Sequence, residues 1–180
     1  GLAASRQEVP GTALDHCCVC RTGLPVSEHT LSVLRTMNAS STWDTDTNGP
    51  CETEVTPFQT YLSTWEGITC ITNKVIGIDI SAQQRPVGMP FVIPSQLGEL
   101  TMLHELIISG QVAASGSIPT EIGALRRLKR FIVTNNPHMT GAIPTELGSM
   151  MEWFEGRSLE EIRITNNTRI TGNLPSELGQ

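Results

Sequence analysis

The chain has 180 residues, of which 38% are hydrophobic and only 4% aromatic, and a formal net charge of -6. So few aromatics argue against one large globular core and suit a stack of aliphatic layers. The charges are interspersed with no basic run, which excludes a nucleic-acid-binding surface, and no stretch nears the roughly 20 apolar residues that span a bilayer.

In chain order, Gly1 to Pro10 lacks the apolar core of a signal peptide, so the sequence reads as a mature or trimmed product. His16-Cys17-Cys18-Val19-Cys20 follows. Structural zinc sites draw ligands from two separated pairs, and adjacent cysteines do not easily point at one metal. The stretch is therefore read as disulfide-forming, within the N-terminal part or to a partner chain, with no metal or other cofactor expected. The five cysteines (17, 18, 20, 51 and 70) leave one thiol over. Ser27-Glu28 then opens a helical pattern, Leu31, Leu34 and Met37, with Ser27 as its N-cap. Asn38-Ala-Ser40 is a glycosylation sequon.

From residue 75 the sequence repeats. Ile93-Pro-Ser-Gln-Leu-Gly-Glu-Leu100, Ile118-Pro-Thr-Glu-Ile-Gly-Ala-Leu125, Ile143-Pro-Thr-Glu-Leu-Gly-Ser-Met150 and Leu174-Pro-Ser-Glu-Leu-Gly179 are versions of one phrase, starting 25, 25 and 31 residues apart. A second phrase, apolar-x-x-apolar-x-apolar-x-x-polar, alternates with it. It reads Val75, Ile78, Ile80, Gln83; Leu103, Leu106, Ile108, Gln111; Leu128, Phe131, Val133, Asn136; and Leu159, Ile162, Ile164, Asn167. Three residues are inserted between Gln83 and Ile93, and six between Met150 and Leu159. Alternation over five residues predicts a short strand with one buried face. Such a strand is covered only by its counterpart in the next repeat, which gives a parallel sheet and a continuous core. The closing Asn of each copy is placed to bond the neighbouring turn, less regularly where Gln111 and Gln83 replace it. Glycines after Ser115, Thr140 and Thr171 supply tight turns.

These phrases resemble the plant-type leucine-rich repeat, L-x-x-L-x-L-x-x-N-x-L-[ST]-G-x-I-P-x-x-L-G-x-L, which recurs about every 24 residues. The resemblance covers roughly 75–180. It implies an α/β solenoid, a right-handed leucine-rich-repeat superhelix with a parallel concave β-sheet, a second shorter strand at [ST]-G-x-I-P, and a disulfide-bonded helical N-terminal cap. Trp65-Glu-Gly-Ile-Thr-Cys70 resembles the end of that cap, and Cys51 would then be the disulfide partner of Cys70. Trp65 lies 14 residues after Cys51, a longer path than the family's cap usually takes. The implied organisation is a Cys-containing extension over 1–26, the cap over 27–74, and repeats over 75–180.

The resemblance also implies that the outward positions of the main strands line a concave ligand face. In register these are Gly77, Glu105, Arg130 and Glu161; Asp79, Ile107, Ile132 and Arg163; and Ser81, Ser109, Thr134 and Thr165. The alternating charges satisfy one another or meet a ligand, and Ile107 and Ile132 are expected as adjacent exposed aliphatics. Within the longer insertion, Met151, Trp153 and Phe154 form an apolar stripe that packs on the solenoid or meets a partner. A second sequon, Asn166-Asn-Thr168, lies at the rim of the face. Glu121, Glu146 and Glu177 occupy one slot of successive repeats and do not converge for acid–base chemistry. His29, His104 and His138 lack a nucleophile partner, so no enzyme is expected.

The implied function is an extracellular binding module, secreted or cell-surface, that takes a protein, peptide or glycan ligand. The alternative is a structural component of an extracellular assembly, cross-linked through Cys17, Cys18 and Cys20. The last copy stops before its next strand, which predicts a longer natural chain or self-association through the C-terminal end.

Overall fold

The computed structural model describes residues 27–37, 61–62, 67–71, 74–81, 91–151 and 159–179. The first element is helix α1 (Glu28–Met37). Its start is set by Ser27, whose Oγ accepts the Thr30 N–H at 3.2 Å, as an N-cap serine does. Leu31, Val33, Leu34 and Met37 form its buried side.

Among the described residues ten short strands follow: β1 (Tyr61–Leu62), β2 (Ile68–Ile71), β3 (Lys74–Asp79), β4 (Phe91–Val92), β5 (Glu105–Ser109), β6 (Ala114–Gly116), β7 (Arg130–Thr134), β8 (His138–Gly141), β9 (Glu161–Thr165) and β10 (Arg169–Ile170). They form two sheets. The main sheet has the order β1-β2-β3-β5-β7-β9, and the second has the order β10-β8-β6-β4. From β3 onward the main sheet is parallel, as is the whole second sheet. Two antiparallel strands, β1 and β2, extend it on the cap side. The Trp65–Cys70 phrase thus contributes a strand, an element that the helical cap pattern did not announce.

The expected strands appear at the expected positions, and their inward residues stack into one core. Leu103, Leu106, Ile108, Leu128, Phe131 and Val133 lie in it with Val75, Ile78 and Ile80. The second sheet and the turns close the other side with Phe91, Ala114, Ile122, Met139 and Leu147.

Each Ile/Leu-Pro phrase folds as a 3-10 turn: Ser95–Glu99, Thr120–Ala124, Thr145–Met151 and Ser176–Gly179. The proline supplies the turn's first carbonyl. Pro94, Pro119, Pro144 and Pro175 accept the N–H groups of Leu97, Ile122, Leu147 and Leu178 at 3.0–3.3 Å. Proline therefore ends the strand and opens the turn, where its missing N–H is not needed. The glycine after that Leu or Ile has a separate reason, close packing of successive turns. A Cβ at Gly123 would stand 2.5 Å from Glu146 Cβ and 2.9 Å from its carbonyl oxygen, and one at Gly98 would strike Glu121. Gly123→Ala is therefore expected to lower stability by about 1–3 kcal/mol through overpacking. Gly110→Ala, a positive-φ site with open space around it, should lose about 1 kcal/mol from backbone strain alone. Urea unfolding of both variants checks this order.

The polar ladder is present and includes Gln111. Asn136 Nδ2 donates to the Ile108 carbonyl at 3.0 Å, and its Oδ1 accepts the Gln111 N–H at 2.9 Å. One repeat on, Asn167 Nδ2 donates to Val133 at 2.8 Å and Oδ1 accepts the Asn136 N–H at 3.0 Å. Gln111 Nε2 reaches the Ile80 carbonyl at 2.5 Å. The longer amide thus makes the same bond to the preceding strand as the asparagines do, and it differs from them in also donating to the Ser109 carbonyl at 3.2 Å. Gln83, the two insertions, Cys17, Cys18, Cys20, Cys51 and Asn38 lie outside the described residues. Cys70 is fully buried on β2.

Candidate ligand face

The outward side of the main sheet brings the predicted face residues together. Glu105, Arg130 and Glu161 are register partners, as are Asp79, Ile107, Ile132 and Arg163 across β3, β5, β7 and β9. Ser109, Thr134 and Thr165 form the third row.

The charged row is a continuous network. Arg130 Nη1 binds Glu105 Oε1, Arg130 Nε binds Glu161 Oε2 at 3.2 Å, and Arg163 Nη2 binds Glu161 Oε1 at 2.6 Å. Lys129 Nζ and Glu160 Oε1, at 2.7 Å, add a pair beside it. Exposed pairs of this kind contribute only about 0–1 kcal/mol each, so the network sets side-chain positions more than stability. At the other margin Ser109 and Thr134 share a hydrogen bond of 2.8 Å. Asn166 Nδ2 donates to Asn135 Oδ1 at 2.9 Å.

Ile107 and Ile132 correct one expectation. They lie on the outward side, yet only 9% and 8% of their surface is exposed. Strand alternation assigns a side chain to a face but does not show what its neighbours cover. Here the flanking rows leave the isoleucines as a narrow floor, with acid–base side chains on one side and hydroxyls and amides on the other. Asp79 turns to its own chain, its Oδ1 accepting the Ser81 N–H at 2.8 Å.

Sequence reading missed the row beyond the hydroxyls. Gly110 (φ 70°), Asn135 (φ 58°) and Asn166 (φ 56°) follow the three strands in left-handed conformation. The signal was available, since glycine and asparagine recur at this place and both tolerate that conformation. The sequon residue Asn166 is exposed, as its rim position requires. Met151 ends the third 3-10 turn, whereas Trp153 and Phe154 lie outside the described residues.

His29 pairs with Glu99 at 2.5 Å and ties α1 to the first turn. His104 has its pKa held below the usual imidazole value by partial burial, then by the Arg127 and Lys129 charges. Among the described residues there is no cluster of three or more His, Cys, Asp and Glu able to hold a metal ion. No helix among them is long and apolar enough to cross a membrane.

No protein-family model matches the sequence, and no curated protein sequence does. Solved structures do match. The leucine-rich-repeat ectodomain of the receptor kinase SOBIR1 from Arabidopsis thaliana aligns at 17% identity with a TM-score of 0.54, over 84% of this chain and 73% of that one. The ectodomain of the plant membrane receptor kinase GASSHO1/SCHENGEN3 from Arabidopsis thaliana, in complex with CASPARIAN STRIP INTEGRITY FACTOR 2, aligns at 23% identity with a TM-score of 0.55, over 85% of this chain and 17% of that one. PEPR1 with AtPEP1 aligns at 24% identity and a TM-score of 0.53, over 83% of this chain and 19% of PEPR1. This chain thus spans less than a fifth of the two complexed receptors. With a main sheet that is parallel from β3 onward, a shorter second sheet, proline-opened turns and a polar ladder, the chain has the leucine-rich-repeat solenoid fold of these ectodomains.

Proposed function

We propose that this chain is an extracellular recognition module that binds an extended peptide or protein segment along the outward face of β5, β7 and β9. The observation that carries the reading is the in-register arrangement of that face. An apolar floor, Ile107 and Ile132, lies between the Glu105–Arg130–Glu161 row and the Ser109–Thr134–Thr165 row. The buried Ile107, Ile132 and Thr134 fix the spacing of the rows, and the exposed Arg130, Arg163 and Thr165 offer polar partners at successive strand positions. Two of the structural neighbours were solved with bound partners, AtPEP1 and CASPARIAN STRIP INTEGRITY FACTOR 2, which supports the same reading. Recognition, not catalysis, fits side chains that satisfy one another and gather no nucleophile with a base.

The extracellular assignment rests on the likeness to receptor ectodomains. In this reading Cys51 closes onto the buried Cys70 and seals the cap end of the core. A glycan on Asn166 restricts access to the face from its hydroxyl side. The domain boundaries near 26 and 74 belong to the same proposal.

The test is selection from a displayed random-peptide library on the full chain. Peptides should be enriched that bind the wild type, and Arg130→Glu should weaken them at least about tenfold, a loss of about 1.4 kcal/mol. Enriched peptides that bind Arg130→Glu as well as the wild type would place recognition elsewhere. Failure to enrich any peptide would count against a peptide ligand.

A further inference from the structure

The chain enters the main strands through short connections that lie side by side along one flank of the solenoid. They are in register. The His104 N–H donates to the Ile76 carbonyl at 2.7 Å, and the Lys129 N–H donates to the His104 carbonyl at 2.8 Å. Two residues before Ile76, His104 and Lys129 stand Lys74, Met102 and Arg127, with Arg126 beside the last. Two strand spacings put Lys74 and Arg127 about 10 Å apart along this flank.

These cations differ from those of the ligand face. Lys129, Arg130 and Arg163 are each held by a glutamate. Lys74, Arg126 and Arg127 are exposed and have no ion pair among the described residues. On a chain of net charge -6 the flank is a local reversal of sign, and its field draws anions.

The same flank holds a cleft. A cavity of about 250 Å³ opens between α1 and the first repeat, walled by Ser27, Thr30, Lys74, Glu99, Thr101 and Met102 among others. The hydroxyls of Ser27 and Thr30 share one hydrogen bond at 2.9 Å, so one hydroxyl proton of the pair stays available to a ligand oxygen. Glu99 Oε2 pairs with His29, which leaves Oε1 to accept from a ligand hydroxyl. Thr101 adds a further hydroxyl and Met102 an apolar wall. A few fixed polar groups around an apolar surface orient a small ring, and here the set suits a ring that carries many hydroxyls and one acid group. An acidic peptide uses the cations but brings no hydroxyl donors for Glu99.

We propose that this flank binds an acidic oligosaccharide, with one uronate ring in the cleft, its carboxylate on Lys74 and its hydroxyls on Ser27, Thr30, Glu99 and Thr101. A second carboxylate of the same sugar chain meets Arg126 and Arg127. The site is separate from the peptide-binding reading, because it uses the flank of the repeats and not the outward face of β5, β7 and β9.

The experiment is calorimetric titration of the full chain with trigalacturonate, its methyl ester and a glutamate tripeptide with blocked termini. Trigalacturonate should bind, less tightly as salt is added. The ester keeps the ring hydroxyls and loses the charges, and it should bind at least about tenfold more weakly, as should the tripeptide. K74A and R127E should each weaken trigalacturonate at least about tenfold. R169E makes the same charge change as R127E, but on β10 of the second sheet, and should leave the affinity within about twofold. No binding of trigalacturonate, equal binding of the ester, or an equal loss in R169E and R127E overturns the proposal. Equal binding of the glutamate tripeptide also overturns it, since the flank then reads charge without the sugar.

Discussion

Replacing Asn136 with alanine is expected to lower the free energy of unfolding by about 2–6 kcal/mol, although the side chain is small and makes no contact with the ligand face. Asn136 is fully buried. Its amide serves the Gln111 N–H and the Ile108 carbonyl at 2.9 and 3.0 Å. Losing the partner of a buried polar group costs about 1–3 kcal/mol per group, and alanine removes two. The control is Asn167→Ala, which deletes the equivalent pair of bonds at a half-buried position. Water reaches that site, so about half the loss or less is expected. Urea unfolding of the two variants separates them. Equal, small losses would show that the ladder does not hold the repeats together.

Phe131→Ala should be as severe, about 3–5 kcal/mol, the range for truncating a buried aromatic. Phe131 is fully buried in the middle repeat, between Leu106 and Ile162 in strand register. Its ring fills the layer that both neighbouring repeats pack against, so the cavity opens toward each of them. The same truncation at Ile162, partly buried on β9, should cost about 1–2 kcal/mol because water already reaches that layer. Thermal or urea unfolding measures both. An Ile162→Ala loss as large as that of Phe131→Ala would mean that the β9 layer is covered as thoroughly as the middle of the stack.

Much of the fold was legible because a repeat states the same physical problem several times. One five-residue alternation is ambiguous. Four copies with a shared polar terminator specify strands, their register and the ladder, and the structure has Glu105, Arg130 and Glu161 in the predicted row. That Gln111 keeps the bond to the preceding strand follows from the reach of its extra methylene, and its added bond to Ser109 is the departure that the substitution for Asn brings. The antiparallel β1–β2 pair was missed because it occurs once, outside the repeat. The glycine after the buried Leu or Ile of each turn was noted only as part of the phrase. Its role depends on the distance between successive turns, a tertiary quantity that one strand of text does not contain.

The ligand face was legible in membership but not in relief. Register assigns Ile107 and Ile132 to the outward side, yet their covering follows from how the neighbouring charged and hydroxyl side chains lie across them. The left-handed row of Gly110, Asn135 and Asn166 was legible in principle from residue type alone.

The most direct test of the central claim is to locate a bound peptide by photo-crosslinking from single positions. A photoreactive residue at Thr165, exposed on the main-sheet side, should capture a library-selected peptide. The same residue at Glu121, exposed on the turn side, should not. Capture from Thr165 alone is the result predicted for a ligand lying along β5, β7 and β9. Capture from Glu121 with none from Thr165 would contradict it and move recognition to the opposite side of the solenoid.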